Sequence, residues 1–404
     1  MNQTARENSL GTPATVGWNG IAWWSWWMSL LVLGLAVFLL LPVPRTTWHT
    51  VYGARWAYIL VVSSLIAFGL TPVLIRLACF LEVVDLPAGR KVHTEPTPLL
   101  GGVAIYTAFG ISILANSILD GQVVAIMVGG TLLVIVGILD DVRGMPAGVR
   151  LLGQLLAAGV VMQSGVVLTL FPPSVAGTTA NAALTLLWLL GITNAMNFFD
   201  GMDGLATGLA ILTAGFMGIV AFQTQQPALG WLCVALVGAC LGFLPYNLRW
   251  RRPASIFLGD AGSPFLGFTL AAVAVKGEWA ENNVMDVAAP ILIFWVYIFD
   301  MVHITVARIA TGKVHSFREW IDYTGRDHLH HRLAALLGSR RLAVLLIFLL
   351  TSVMGLGAVA LKNARLVDVV VLLAQATLVV VVVTLLEFQG NRRAREVRDK
   401  EGGA

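Results

Sequence analysis

The chain has 404 residues, of which 57% are hydrophobic and only 12% charged, with a mean hydropathy of +0.81. Such a composition excludes a soluble multidomain protein. The net charge of +4 is modest and no basic stripe is interleaved with aromatics, which argues against nucleic-acid binding.

In chain order, uncharged stretches recur at 20–44, 56–75, 96–119, 121–139, 151–199 and 204–248. Each is close to one or two helix lengths across a roughly 30 Å hydrocarbon layer. Dividing the longer ones at Phe171-Pro172-Pro173, at 197–204 and at 223–227 predicts about twelve helices. They fall near 21–43, 56–80, 99–118, 123–139, 150–170, 182–197, 204–222, 228–247, 262–275, 287–309, 341–361 and 366–387. The first apolar run is about 25 residues long and has no A-x-A site, so it reads as a retained span rather than a signal peptide. Trp18, Trp23, Trp24, Trp26 and Trp27 fit an interfacial aromatic belt at its start. Cys79, Cys233 and Cys240 lie in apolar runs without CxxC spacing, which argues against disulfides and zinc ribbons.

An alternating traverse gathers 81–98, 140–150, 198–203, 248–261, 310–340 and the tail on one side. That side holds Arg76, Arg90, Lys91, Arg143, Arg150, Arg249, Arg251, Arg252, Arg340, Arg341 and the basic tail, whereas the other holds only Arg45, Arg55, Lys276, Lys362 and Arg365. By the positive-inside rule the first side is cytoplasmic. Three regions follow: 1–55 with an additional helix, a polytopic body over 56–390, and a basic tail over 391–404.

The acids that carry chemistry fall on the same side. Asp140 and Asp141 end one helix, Asp200 and Asp203 bracket a turn, and Asp260 lies in a glycine-flanked loop. Singly, an Asp pair is a solvated helix end and an Asp-Gly pair is a turn. Five carboxylates at adjoining helix mouths would instead repel one another unless cations sat among them. Hard oxygen ligands with no Cys or His shell suit Mg2+, with Mn2+ as a substitute. Glycines beside Asp200, Asp203 and Asp260 leave backbone N–H groups open to phosphate, and a helix N-terminus near Gly204 adds positive potential. Asp327-His328-Leu329-His330-His331-Arg332 reads as a phosphate clamp, with a metal site or a plain polar loop as alternatives. Arg90, Lys91 and His93 are placed to meet a lipid phosphate, or are a positive-inside loop. Asp300 and His303 share a helix face, either as a self-satisfied pair or as support for the site.

These motifs together resemble the polyprenyl-phosphate N-acetylhexosamine-1-phosphate transferases of glycosyltransferase family 4, and within them the WecA/TagO-like branch. The resemblance rests on Arg90-Lys91-Val92-His93 with Pro98-Leu99-Leu100-Gly101-Gly102, on Asp140-Asp141, on the run from Asn194 to Leu205, on Phe257-Leu258-Gly259-Asp260-Ala261-Gly262-Ser263, and on the run from Asp327 to Leu333. It implies an all-α polytopic fold with a catalytic groove facing the cytoplasm of a bacterial inner membrane. Carried over, it makes Asn197 and Asp260 the metal ligands and Asp140, Asp141 and Asp200 the catalytic cluster. Asp203 becomes the uracil-contacting acid. Lys91, His93, Arg150, His328, His330, His331 and Arg332 become substrate-binding residues. The implied partners are a UDP-N-acetylhexosamine, undecaprenyl or another polyprenyl phosphate, and membrane lipids, with a homodimer common among relatives.

Two departures bear on this. The family's pattern begins with the helix at 56–80, leaving that at 21–43 additional. The muramoyl-pentapeptide branch carries consecutive histidines, whereas Leu329 interrupts them here, which favours a simple N-acetylhexosamine donor. Asp140 and Asp141 could deprotonate the acceptor, orient it, or act as nucleophile. The competing class is a transporter, whose ion sites lie near the bilayer midplane rather than at one face.

Overall fold

A computed structural model describes residues 24–51, 53–86, 96–249, 251–279, 283–316, 319, 325, 327–361, 367–382 and 384. Arg90, Lys91 and His93, Trp18 and Trp23 of the tryptophan cluster, and the basic tail lie outside the described residues.

Helix α1, Trp24–Leu40, turns by 66° into the short α2, Pro42–Thr46, which runs on through a π-helical turn at Thr47–Val51. This additional bent segment is fixed to the rest of the chain by side-chain bonds and close packing. Arg45 donates to the carbonyl of Ala115 at 2.8 Å. The Tyr58 hydroxyl donates to the Leu39 carbonyl at 2.8 Å, and Leu33 packs against Gly69, where a Cβ would come within 2.7 Å.

Helix α3, Arg55–Phe80, then crosses α9, Pro227–Asn247, at close range. The approach depends on small residues: a Cβ on Gly238 would stand 2.0 Å from Ser63 Oγ and one on Gly242 would stand 2.1 Å from the Ser64 carbonyl. Ser64 Oγ also donates to the Gly238 carbonyl at 2.9 Å. In lipid, where apolar area drives little helix association, such small-residue contacts supply the packing.

The remaining helices are α4 Gly101–Ala115, α5 Gly121–Arg143, α6 Ala147–Gln163, α7 Val175–Phe199, α8 Leu205–Gln223, α10 Ser263–Lys276, α11 Asn283–Ile293, α12 Trp295–Ala310, α13 Leu329–Leu337, α14 Arg340–Ala360 and α15 Val367–Val382. The starts of α5 and α7 are capped by Asp120, which accepts from the Val123 N–H at 2.7 Å, and by Ser174, which accepts from the Gly177 N–H at 3.0 Å. The strands among the described residues form one antiparallel pair, β1 Val84–Asp85 with β2 Thr97–Pro98.

Each of the twelve expected segments has a helix in the structure, so the chain is an all-α polytopic membrane protein. Six helices among the described residues are individually long and apolar enough to span, up to eight if each bent pair is one span, and four apolar helices are shorter. Two features depart from expectation. The segment at 287–309 is two helices meeting at 75° beside Phe294, four residues after Pro290, which cannot donate to the helical ladder. The expected 310–340 loop contains α13, a nine-residue helix that buries Leu329, His330 and Leu333. Its charged and imidazole side chains break the apolar run that marks the longer helices.

Candidate active site

The last turns of α3, α5, α7 and α9 and the first turns of α4, α8, α10 and α14 meet at one end of the bundle, as alternating passes require. There they surround a cavity of about 780 Å³. Its floor is built around the loop 257–262, which is locked by backbone bonds. The Phe257 N–H donates to the Pro98 carbonyl at 2.9 Å, and the N–H groups of Gly101 and Gly102 donate to the Phe257 and Leu258 carbonyls at 3.1 and 2.8 Å. The strand pair and the start of α4 thus hold the loop that presents Asp260.

Helix α5 holds the same loop from the other side. The Asp141 carboxylate accepts from the backbone N–H of Asp260 at 2.9 Å and of Ala261 at 3.1 Å. One turn earlier Gly137 lies against the loop so closely that a Cβ there would be 2.0 Å from the Asp260 carbonyl oxygen. Gly259 has φ +74°, and a Cβ on it would stand 2.7 Å from Asp141 Oδ2; both conformation and space demand glycine. From α7, Asn197 Nδ2 donates to Asp260 Oδ1 at 2.7 Å and to Ser263 Oγ at 3.0 Å. Asp141, Asn197, Asp200, Asp203 and Asp260 all line the cavity.

The acids do not share one environment. Asp140 is buried and meets the Arg150 guanidinium at 3.3 Å, with the Met145 N–H also on its carboxylate. Neither Asp140 nor Arg150 is part of the cavity wall. Asp203 Oδ2 accepts from the Ala254 N–H at 2.9 Å, bracing the turn after α7 against the loop after α9. Asp200 stands differently: burial, reinforced by the charges of Asp260 and Asp141, holds its carboxyl well above the usual carboxylate range. Burial also raises the Asp260 carboxyl, against the lowering effect of the Asn197 bond and with Asp140 adding to the rise.

Of the histidine loop, His331 lines the cavity and its neighbours turn elsewhere. His328 Nδ1 is 2.8 Å from Asp300 Oδ2, and Arg332 lies within 2.6 Å of a ring nitrogen of His303. Asp300 and His303 therefore each engage the loop. His330 is 1% exposed and packed on Phe199, and burial, with His331 beside it, holds its imidazole well below the usual range. A Cβ on Gly201 would stand 2.7 Å from His330 Nε2.

Arg249, Arg252, Arg340, Arg341 and Phe257 also line the cavity. Sequence reasoning used these arginines only to orient the chain. The signal present was Arg340-Arg341 opening a helix, where cations oppose the positive end of the dipole and imply some other use.

As a metal site the donor set is sparse. Among the described residues no group of three or more His, Cys, Asp or Glu side chains is arranged to hold a metal ion.

The model of glycosyl transferase family 4 matches residues 123–278. A probable undecaprenyl-phosphate N-acetylglucosaminyl 1-phosphate transferase of Bacillus subtilis is 34% identical, over 75% of this chain and 84% of its own length. A decaprenyl-phosphate N-acetylglucosaminephosphotransferase of Mycolicibacterium smegmatis is 31% identical, over 77% of this chain and 83% of its own. A phospho-N-acetylmuramoyl-pentapeptide-transferase of Listeria monocytogenes is 32% identical but covers 55% of this chain. A glycine-built cavity lined by acids and arginines at one end of an apolar bundle, in a chain with these relatives, belongs to a member of glycosyl transferase family 4.

Proposed function

We propose that the chain transfers N-acetylglucosamine 1-phosphate, or a related N-acetylhexosamine 1-phosphate, from its UDP-sugar to undecaprenyl or another polyprenyl phosphate, releasing UMP. The observation that carries this reading is the cavity itself, in which Asp141, Asn197, Asp200 and Asp260 face the same space as Arg249, Arg252, Arg340 and Arg341. Carboxylates and guanidinium groups around one cavity suit a bound cation together with two phosphorylated substrates. The wider coverage of the N-acetylglucosamine relatives, 75% of the chain against 55% for the muramoyl-pentapeptide one, favours the simpler donor.

In the reaction an oxygen of the lipid phosphate attacks the phosphorus that bears the sugar. The new P–O bond forms as the bond to the UMP oxygen breaks, and UMP leaves with the electron pair. Mg2+ would neutralise the diphosphate and stabilise the leaving oxygen. Asp260 and Asn197 would hold it, since the Asn197 Nδ2 bonds to Asp260 and Ser263 set the two side chains together in the cavity wall. Asp141 keeps Asp260 in place through the two backbone N–H groups. Asp200, whose carboxyl is held high by burial and by the charges of Asp260 and Asp141, would supply the remaining carboxylate. Arg340 and Arg341, on the first turn of α14, are placed for an anionic headgroup arriving from the bilayer. The cavity end of the bundle is then cytoplasmic, in a bacterial inner membrane, because its flanking loops hold most of the chain's arginine and lysine.

Purified protein in detergent, given undecaprenyl phosphate and a panel of radiolabelled UDP-sugars, is expected to form lipid-linked product with a UDP-N-acetylhexosamine and Mg2+ and none with EDTA. Asp260→Asn and Asp141→Asn should each lower turnover by about 100-fold or more. Full turnover in either correctly inserted variant defeats the proposal. Exchange of labelled UMP into donor without lipid acceptor would indicate a covalent intermediate in place of direct transfer.

A further inference from the structure

Asp300 is fully buried, on the first turns of α12 just past the 75° break. An ionisable side chain at such depth is costly to bury, and its partners show its use. Its carboxylate accepts from the Leu329 N–H at 2.7 Å, is 2.8 Å from His328 Nδ1, and lies 3.8 Å from the Arg332 guanidinium. The Leu329 N–H opens α13 and has no partner within that helix, so Asp300 caps α13 from a helix 29 residues earlier in sequence. One turn along, His303 meets Arg332. A further turn along, Arg308 makes two bonds of 2.8 Å to Asp327. Asp300, His303 and Arg308 thus form one stripe of α12 that grips both ends of the segment 327–332.

The grip decides what the segment presents. His328 and Arg332 have polar atoms committed to α12, while the His328 ring lies 4.5 Å from that of Phe198, next to Asn197. His330 is buried against Phe199. His331 remains as the side chain of the segment in the cavity wall.

We propose that Asp300, with His303 beside it, is a positioning residue for the transfer reaction: it clamps the histidine segment to α12 so that His331 is presented to the substrates, and His328 and Arg332 serve as struts of that clamp. The inference rests on the transferase reading above and gives it a residue outside the cavity.

The test is a double-mutant cycle between Asp300→Asn and His331→Ala, reading kcat and KM for the UDP-sugar, with UMP binding as the measure of an intact nucleotide site. Asn is nearly isosteric and keeps an acceptor for the Leu329 N–H, but gives up the charge that holds His328 and Arg332. Asp300→Asn should lower kcat by about 10- to 100-fold, as loss of an outer partner of a reacting group commonly does, with KM changing less. In the His331→Ala background it should cost little more, because the side chain it positions is gone. Independent, multiplying losses, or wild-type kcat in Asp300→Asn, overturn the proposal. If Asp300→Asn loses UMP binding, His303→Ala carries the same cycle, since it reaches the segment through Arg332. Absence of lipid-linked product from the unmodified protein with every UDP-N-acetylhexosamine removes the transferase reading, and this proposal with it.

Discussion

Gly137→Ala adds one methyl group on α5, three residues before Asp140. In a helix interior, alanine for glycine ordinarily stabilises by about 0.5–1 kcal/mol. Here the added Cβ would lie 2.0 Å from the Asp260 carbonyl oxygen, 2.4 Å from its carbon and 2.5 Å from Ala261 Cα, where ordinary contact begins at 3.4 Å. All three obstacles are backbone, so no side-chain rotation relieves them. Either α5 or the 257–262 loop must move by about 1.4 Å at the nearest atom. That displacement is enough to break the bonds from the Asp260 and Ala261 N–H groups to Asp141. Overpacking of this kind costs about 1–3 kcal/mol, and each bond to a charged acceptor adds about 1.5–3 kcal/mol if lost outright. A misplacement of about 1 Å at a reacting centre costs on the order of 100-fold in rate. The assay is UMP release against Mg2+ concentration, alongside thermal unfolding in detergent. Turnover should fall about 100-fold with a higher Mg2+ requirement. Gly159→Ala on α6, where nothing lies within 4 Å, should be neutral. Wild-type turnover and an unchanged Mg2+ requirement in Gly137→Ala would refute the account of how Asp260 is held.

Gly201→Ala should displace His330, whose Nε2 would lie 2.7 Å from the new Cβ, and lower kcat by about tenfold while costing about 1–3 kcal/mol of stability. Arg340→Ala with Arg341→Ala should raise KM for the lipid phosphate by about tenfold per lost charged contact. It should leave thermal stability unchanged or slightly higher, because two cations leave the positive end of α14. Asp200 and Asp260 have raised pKa values in the fold, so the metal-free folded state binds protons more tightly than the unfolded chain. Their contribution to stability is greatest below the unfolded carboxylate range and is lost as pH rises through the folded values. A cation competes with those protons, so thermal stabilisation by Mg2+ should be larger at about pH 8 than at about pH 5.5.

Much of this arrangement was legible in the sequence because a membrane punishes charge. Asp140, Asp141, Asp200, Asp203 and Asp260 stood out as carboxylates at the ends of apolar runs, and the same runs located the helices, with α6 ending and α7 beginning seven residues earlier than expected. What escaped were features that depend on a partner distant in sequence. Gly137 looks like any helical glycine until the 257–262 loop is laid against it. Asp300 and His303, three residues apart, could equally pair with each other, and only the position of α13 shows each turned to the histidine segment. Helix α13 was hidden because its short apolar face is interrupted by His331 and Arg332, and a reading tuned to uncharged runs passes over it.

The distribution of hydrogen bonds among the acids narrows where a cation fits. Asp140 has Arg150, Asp141 has two backbone N–H groups, and Asp203 has the Ala254 N–H. Each of these partners is supplied by the protein itself, through a side chain or a loop backbone that fixes where the carboxylate sits. Asp200 and Asp260 act on one another: burial raises both carboxyls, and the charge of Asp260 is itself a cause of the rise at Asp200. On the proposed reading Asp200, Asp260 and Asn197 would hold the cation, and Asp141 would act on it through the loop it secures. Asp141→Asn should then raise the Mg2+ requirement less than Asp260→Asn does, while both depress turnover; the reverse order would move the cation toward Asp141.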